Sequence, residues 1–154
     1  SISAFLADYS FWIFLGVLAI FFVFRFQSRL GIAFEAIFAG GISRFFIKEG
    51  IVYLYSRPRP FEVLDTARQL VYHTPGEAFP SGHALFFFAA STAIYLHDQR
   101  WGILFYILAL VMAFARVVAG IHWPLDIIGG ALIGVVASLL IHIVFKKYIH
   151  RKIN

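Results

Sequence analysis

Residues 125–145 read LDIIGGALIGVVASLLIHIVF, one carboxylate at the start and one histidine near the end of an otherwise uncharged run. A helix needs about 20 mostly apolar residues to cross the hydrocarbon core of a bilayer. This stretch has that length. Pro124 just ahead of it suits a first helical position, where a missing amide hydrogen costs nothing. Gly130 and Gly134 form a small-xxx-small pair suited to close contact with another helix, and Lys146-Lys147 end the run.

Working back from this segment, four more stretches read the same way: about 101–119, 82–97, 30–55 and 9–25. Composition agrees. Of 154 residues, 61% are hydrophobic and 14% charged, and the mean hydropathy is +0.84; an average soluble domain carries roughly 25% charged residues. These values exclude a water-soluble, disordered or fibrous protein. The chain has no cysteine, which excludes disulfides, thiol catalysis and thiolate metal sites. The expected fold is an all-α polytopic membrane bundle of about five spans in a single domain, 1–154, with no internal repeat. The first stretch lacks a basic start and a small-residue cleavage site and reads as a permanent span rather than a secretory signal.

Five passes sort the connections by face. Arg25, Arg29, Arg100, Lys146, Lys147, Arg151 and Lys152 fall on one side, which the positive-inside rule makes cytoplasmic, together with the C-terminus. Segments 56–80 and 120–125 then share the outer face. The net charge of +5 lies largely in short segments between apolar runs and reads as an orientation signal, and the basic tail from Lys146 reads as such a signal and a contact for anionic lipid headgroups, not a nucleic-acid patch. Within 56–80, Phe61 to Tyr72 is expected to form a short interfacial helix.

Three polar clusters meet on that outer face: Arg57-Pro58, Pro80-Ser81-Gly82-His83, and Arg116 with His122 and Asp126. Arginine forks match phosphate oxygens bidentately and stay charged, so Arg57 and Arg116 point to a phosphate or pyrophosphate. Ser81 reads as an N-cap that leaves the amides of Gly82 and His83 open at the positive end of a helix, a ready anion site. Asp126, in the first turn of the last span, can accept from one nitrogen of His122 and leave the other free to attack phosphorus. His83 can then protonate the leaving oxygen. No cluster of carboxylates suggests a divalent metal, and no cofactor is expected.

Pro80-Ser81-Gly82-His83 with Arg116-x5-His122-x3-Asp126 closely resembles the second and third signatures of the type 2 phosphatidic acid phosphatase superfamily. The resemblance covers the chain from about the second span to Asp126. It implies a phosphohistidine at His122 oriented by Asp126, a general acid at His83, and phosphate binding by Arg57, Arg116, Ser81 and Gly82. Two departures stand out. The family places a lysine seven residues before its Arg-Pro pair, where this chain has Gly50. Lys48, nine before Arg57, is the nearest candidate, and the offset of about 200° lets it reach the same phosphate only if the span unwinds or ends early, with Gly50 as the break. Ala115 stands where serine is usual. Five spans are also one fewer than is common, the missing one expected N-terminally.

Other residues take plainer readings. Glu35, Arg44 and Glu49 are read as structural; Glu35 and Arg44 lie nine apart, about 180° around a helix. His73, His97, His142 and His150 are read as interfacial, with a spacing that suggests no metal site. Phe21-Phe22, Phe45-Phe46 and Phe86-Phe87-Phe88 read as lipid-facing or packing residues, with a groove for an acyl or prenyl chain as a further role. The resulting expectation is a metal-independent membrane lipid phosphatase, with its site at the extracytoplasmic face of a bacterial cytoplasmic membrane. Its partners are membrane lipids and a lipid phosphate substrate, which the resemblance alone ranks as undecaprenyl pyrophosphate first, then phosphatidylglycerophosphate or phosphatidic acid. Two alternatives share the residues: a lipid phosphotransferase using the same phosphohistidine, and a non-catalytic lipid-binding protein.

Overall fold

In the computed structural model the described residues are 2–23 and 26–153. Arg25 lies outside them, as do the side chains of Arg29, His150, Arg151 and Lys152. Every regular element among the described residues is helical. Helix α1 spans Ile2–Val23; α2, Phe26–Ile42, runs through a π-helical turn, Ser43–Ile47, into α3, Lys48–Leu54. After one short turn, α4 (Pro60–Val63), come α5 (Gly82–His97), α6 (Gln99–Val118) and α7 (Pro124–Ile153).

Four stretches have the length and hydropathy to cross a membrane: Ala4–Val23, Leu30–Leu54, Gln99–Val118 and Pro124–Lys147. The fifth expected pass, α5, has 16 residues, about 24 Å of helix and short of a lipid-facing span. It is sheathed by protein instead. Nearly every residue from Gly82 to Ile94 is buried, with α2, α6 and α7 packed around it. Enclosure explains its polar content, because Ser91 and Thr92 return their hydroxyls to the carbonyls of Phe87 and Phe88 at 2.7 Å. The outer helices carry the apolar surface: Ile107, Leu110 and Phe114 on α6 and Leu132, Val136 and Val144 on α7 are exposed, as side chains solvated by acyl tails must be.

Glycine decides how closely α5 meets α7. A Cβ at Gly130 would stand 2.9 Å from the Ser81 carbonyl oxygen, and one at Gly134 would stand 2.6 Å from that of Leu85, so the backbones touch where any side chain would part them. The phenylalanine runs divide by this packing. Phe14, Phe21, Phe86, Phe87 and Phe105 fill the core, with Phe14 stacked on Phe87 at 4.7 Å, while Phe45 and Phe46 stay exposed.

Two expectations are corrected. The interfacial helix over Phe61–Tyr72 shrinks to the single turn Pro60–Val63; beyond it the chain drapes over the α6–α7 turn, where Leu70 N–H donates to Ala119 O at 3.1 Å. The lone histidines His97 and His142 converge on Glu35: His97 Nε2 and His142 Nδ1 each lie 2.8 Å from one of its carboxylate oxygens. Their separation along the chain hid this, since α2, α5 and α7 bring them together only when packed. The cluster marks the end of α5 opposite His83, about 21 Å away at 1.5 Å per residue.

Candidate active site

The α6–α7 turn sets the first part of the site. Pro124 opens α7, and the fully buried Asp126 sits in its first turn, accepting from Trp123 N–H at 2.7 Å. His122, just ahead, is 4% exposed. Its Nδ1 lies 3.0 Å from the Ala78 carbonyl and 3.6 Å from Asp126 Oδ2. A carbonyl can only accept, so Nδ1 carries the hydrogen and Nε2 keeps its lone pair. The sequence reading gave the orienting role to Asp126 alone; Ala78 is the nearer partner. At Nε2 stands Arg59, with Nη1 at 3.4 Å.

Helix α5 brings the second part. Ser81 caps it, its Oγ accepting from Ala84 N–H at 3.5 Å. Gly82 and His83 follow as the first two helical residues, whose amides have no carbonyl a turn back to bond. Against them lies the end of the second pass. In the π turn the Lys48 N–H reaches the Ser43 carbonyl, five residues back, and the widened turn faces Arg44 and Lys48 toward α5. A Cβ on Gly82 would meet Lys48 Cδ at 3.2 Å and Arg44 Nη1 at 3.5 Å. The unwinding that Lys48 requires thus exists, but it precedes Lys48. The helix continues unbroken through Gly50 to Leu54, which corrects the reading of Gly50 as the break.

Arg44 is the residue the sequence reading set aside as structural. Its Nη1 lies 3.3 Å from His83 Nδ1. A guanidinium only donates, so Nδ1 accepts and neutral His83 holds its hydrogen on Nε2. The missed signal was a charge at membrane depth, which by default marks function, placed at i,i+4 from Lys48.

These groups line one cavity of about 180 Å³: Arg44, Lys48, Arg59 and Arg116 as cations, His73, His83 and His122 as imidazoles, with Gly82, Phe45 and Glu49 completing the wall. That is room for a phosphoryl or pyrophosphoryl group. Arg116 comes from α6, 3% exposed, with one Nη on the Ala7 carbonyl at 3.0 Å. The buried Nε–H groups of Arg59 and Arg116 have no hydrogen-bond partner. An incoming anion supplies the acceptors such donors want.

Arg57 falls elsewhere. It lies 3.5 Å from Asp126 and over the Trp123 ring at 4.9 Å, outside the cavity wall, while Arg59 takes the place expected of it. The Arg59 guanidinium also holds the carbonyls of Ile121 at 2.8 Å and Glu77 at 3.1 Å, tying the His122 turn to the 76–80 segment. Counted from Arg59, Lys48 lies eleven residues back, four more than the family spacing of seven. Residues 55–59 are not helical, so the path of that link, not helical periodicity, brings Lys48 and Arg59 to one cavity. Ser81 is fully buried as a cap and acts through the helix end. His73, in the irregular segment, is an addition no motif announced; its ring stands 6.5 Å from that of His122.

Burial, with the charges of Arg116 and Arg59, lowers the pKa of His122 to about 4 against the pull of Asp126. Burial likewise lowers His73 and Arg59. A neutral, oriented imidazole beside four cations can attack an anionic phosphorus that those cations hold.

A family model described as the PAP2 superfamily matches residues 29–149. The bacitracin transport permease protein BcrC of Bacillus licheniformis is 33% identical over 103 residues, 66% of this chain and 51% of that protein; the chain thus spans about half its length. The undecaprenyl-diphosphatase BcrC of Bacillus subtilis (strain 168) is 30% identical over 141 residues, 91% of this chain and 72% of that one. Among solved structures, Aquifex aeolicus LpxE superposes with a TM-score of 0.70 at 21% identity, covering 91% of this chain and 84% of its own, a likeness of fold.

Proposed function

The chain belongs to the PAP2 superfamily, and from that premise we propose that it is a membrane lipid phosphatase working through a phosphohistidine at His122. The observation that carries the reading is His122 beside His83 in one cationic cavity, with Nδ1 turned to Ala78 and Asp126 and Nε2 toward Arg59.

Arg59, Arg116, Lys48 and the α5 amides hold the terminal phosphate and spread its transition-state charge. An anion draws Arg44 off His83 Nδ1, which frees that nitrogen to take a proton from solvent; the resulting imidazolium is the general acid. His122 Nε2 forms a bond to phosphorus while the bond from phosphorus to the lipid oxygen breaks. That oxygen takes the Nε2 proton of His83. Neutral His83 then removes a proton from water, whose oxygen attacks the phosphohistidine. The phosphorus–nitrogen bond breaks, and inorganic phosphate leaves with His122 restored. No step calls for a metal ion.

The site sits at the end of the bundle where α5 and α7 begin, with an exposed apolar belt beside it. A lipid can present its phosphate there without its tail leaving the bilayer, which favours lipids over soluble sugar phosphates. Undecaprenyl pyrophosphate is the best match, supported by the relative named undecaprenyl-diphosphatase. Phosphatidylglycerophosphate and phosphatidic acid come next. The basic ends of the spans orient this site extracytoplasmically and the C-terminus to the cytoplasm of a bacterial inner membrane.

Purified protein in detergent tests the reading with these three lipids. Chelator-insensitive phosphate release, greatest for the prenyl pyrophosphate and abolished in His122→Ala, is expected. Activity retained in His122→Ala refutes the nucleophile, and a phosphorylated acceptor in place of free phosphate makes the enzyme a transferase.

A further inference from the structure

Glu35, His97 and His142 sit far from the cavity just described and take no part in its chemistry. We propose that they form a binding site for a divalent transition metal of the zinc type, a clasp joining α2, α5 and α7 at the opposite end of the bundle.

The three side chains offer a carboxylate and two imidazole nitrogens, all within 4.8 Å of one another. Each histidine takes a different oxygen of Glu35 at 2.8 Å, and the rings stand 5.1 Å apart at 76°, so both present nitrogen lone pairs or hydrogens to the same point. A tetrahedral ion with bonds of about 2.1 Å spaces its ligand atoms about 3.4 Å apart. Small side-chain rotations take the cluster from its hydrogen-bonded arrangement to that geometry. Two histidines and a glutamate are a known donor set for zinc, three protein ligands with a fourth position for water.

Charge supports a metal over an ion pair. The Glu35 side chain is 6% exposed, and among the described residues its ionic partners are these two histidines alone. A carboxylate in a membrane bundle is costly unless neutralised. One imidazolium does that, and the second histidine then adds a hydrogen bond to the other oxygen but no further role for its charge. A divalent ion uses all three donors. The side chains of His97 and His142 are 32% and 22% exposed, which gives an ion a route in and leaves a water its place. Three donors on three separate passes also explain what the ion would do: it holds together helices that in lipid gain nothing from hydrophobic contact with one another.

The test uses the full chain in detergent, tag removed and stripped with chelator, titrated with Co²⁺ and then Zn²⁺. One equivalent of Co²⁺ per chain is expected, with the visible ligand-field bands of four- or five-coordinate cobalt, bleached as Zn²⁺ displaces it. The bands vanish in the double variant His97→Gln/His142→Gln and persist in His83→Gln/His122→Gln. Glu35→Gln, which keeps shape and loses charge, weakens Zn²⁺ by at least about tenfold, a loss seen even for changes beyond the ligands themselves. Zn²⁺ raises the Tm of the parent and not of the double variant. Phosphate release by the double variant shows that it is folded, and separates failure here from failure of the proposed catalytic function. No cobalt bands, bands retained in the double variant, or bands lost only in the cavity variant overturn the proposal.

Discussion

Truncating Arg59 and Arg57 separately distinguishes a phosphate clamp from its neighbour. The Arg59 guanidinium is buried, lines the cavity, and stands 3.4 Å from Nε2 of His122, the proposed nucleophile. Removing one preorganised donor to a developing oxyanion costs about 10²–10³ in kcat. Arg59→Ala also strips the Ile121 and Glu77 carbonyls of their partner, at about 1–3 kcal/mol each where buried, which loosens the turn carrying His122. The combined loss in kcat/KM is expected at about 10³ or more, with Arg59→Lys recovering part of it because charge returns without the fork. Arg57 is different. Its side chain is 28% exposed and its contact with the buried Asp126 is 3.5 Å, at the outer limit of hydrogen bonding, while its stacking on Trp123 is worth about 0.5–1 kcal/mol at an exposed site. Arg57→Ala is therefore expected to cost about tenfold or less, through the orientation of Asp126. Initial rates of phosphate release across a substrate titration give both numbers. Equal losses, or a larger one at Arg57, would refute the assignment of the clamp to Arg59.

The acid limb of kcat/KM is expected near pH 4, since the proposed nucleophile His122 can attack only when neutral and its pKa is lowered to about 4; a midpoint near 6.5 would contradict the burial argument. The same shift bears on stability. Between pH 6.5 and 4 the unfolded chain binds a proton that the folded one excludes, so stability held above 6.5 is lost as pH falls, by up to about 3 kcal/mol, measurable as a falling Tm. Arg44→Ala and Lys48→Ala are each expected to lower kcat about 10- to 100-fold; an unchanged rate in Lys48→Ala removes it from the family lysine's role. Gly134→Ala places a methyl 2.6 Å from the Leu85 carbonyl and is expected to lower Tm by about 2–12 °C, overpacking costing about 1–3 kcal/mol. Gly16→Ala, with open space around it, serves as the unaffected control.

Hydropathy alone determined four of the five expected passes, their order and their approximate ends, because a bilayer is a solvent whose demand on each residue is local: enough apolar length, few charges, backbone satisfied within the helix; that α5 is short and enclosed by its neighbours was decided by packing. Residue type and spacing also determined where His122, Asp126 and the Ser81-Gly82-His83 helix start lie relative to α7 and α5, since capping and first-turn geometry depend on neighbours in sequence. Which arginine faces the cavity was another matter. Arg57 and Arg59 are two residues apart on an irregular segment, and only the path of that segment, pinned at Ala78 and Trp123, turns one inward. The π turn ahead of Lys48 likewise decided where Arg44 and Lys48 point, and the packing of three helices decided that Glu35, His97 and His142 meet. Rotation about a helix axis and contact between distant segments are settled by the sum of many packing interactions, and no short stretch of chain encodes them.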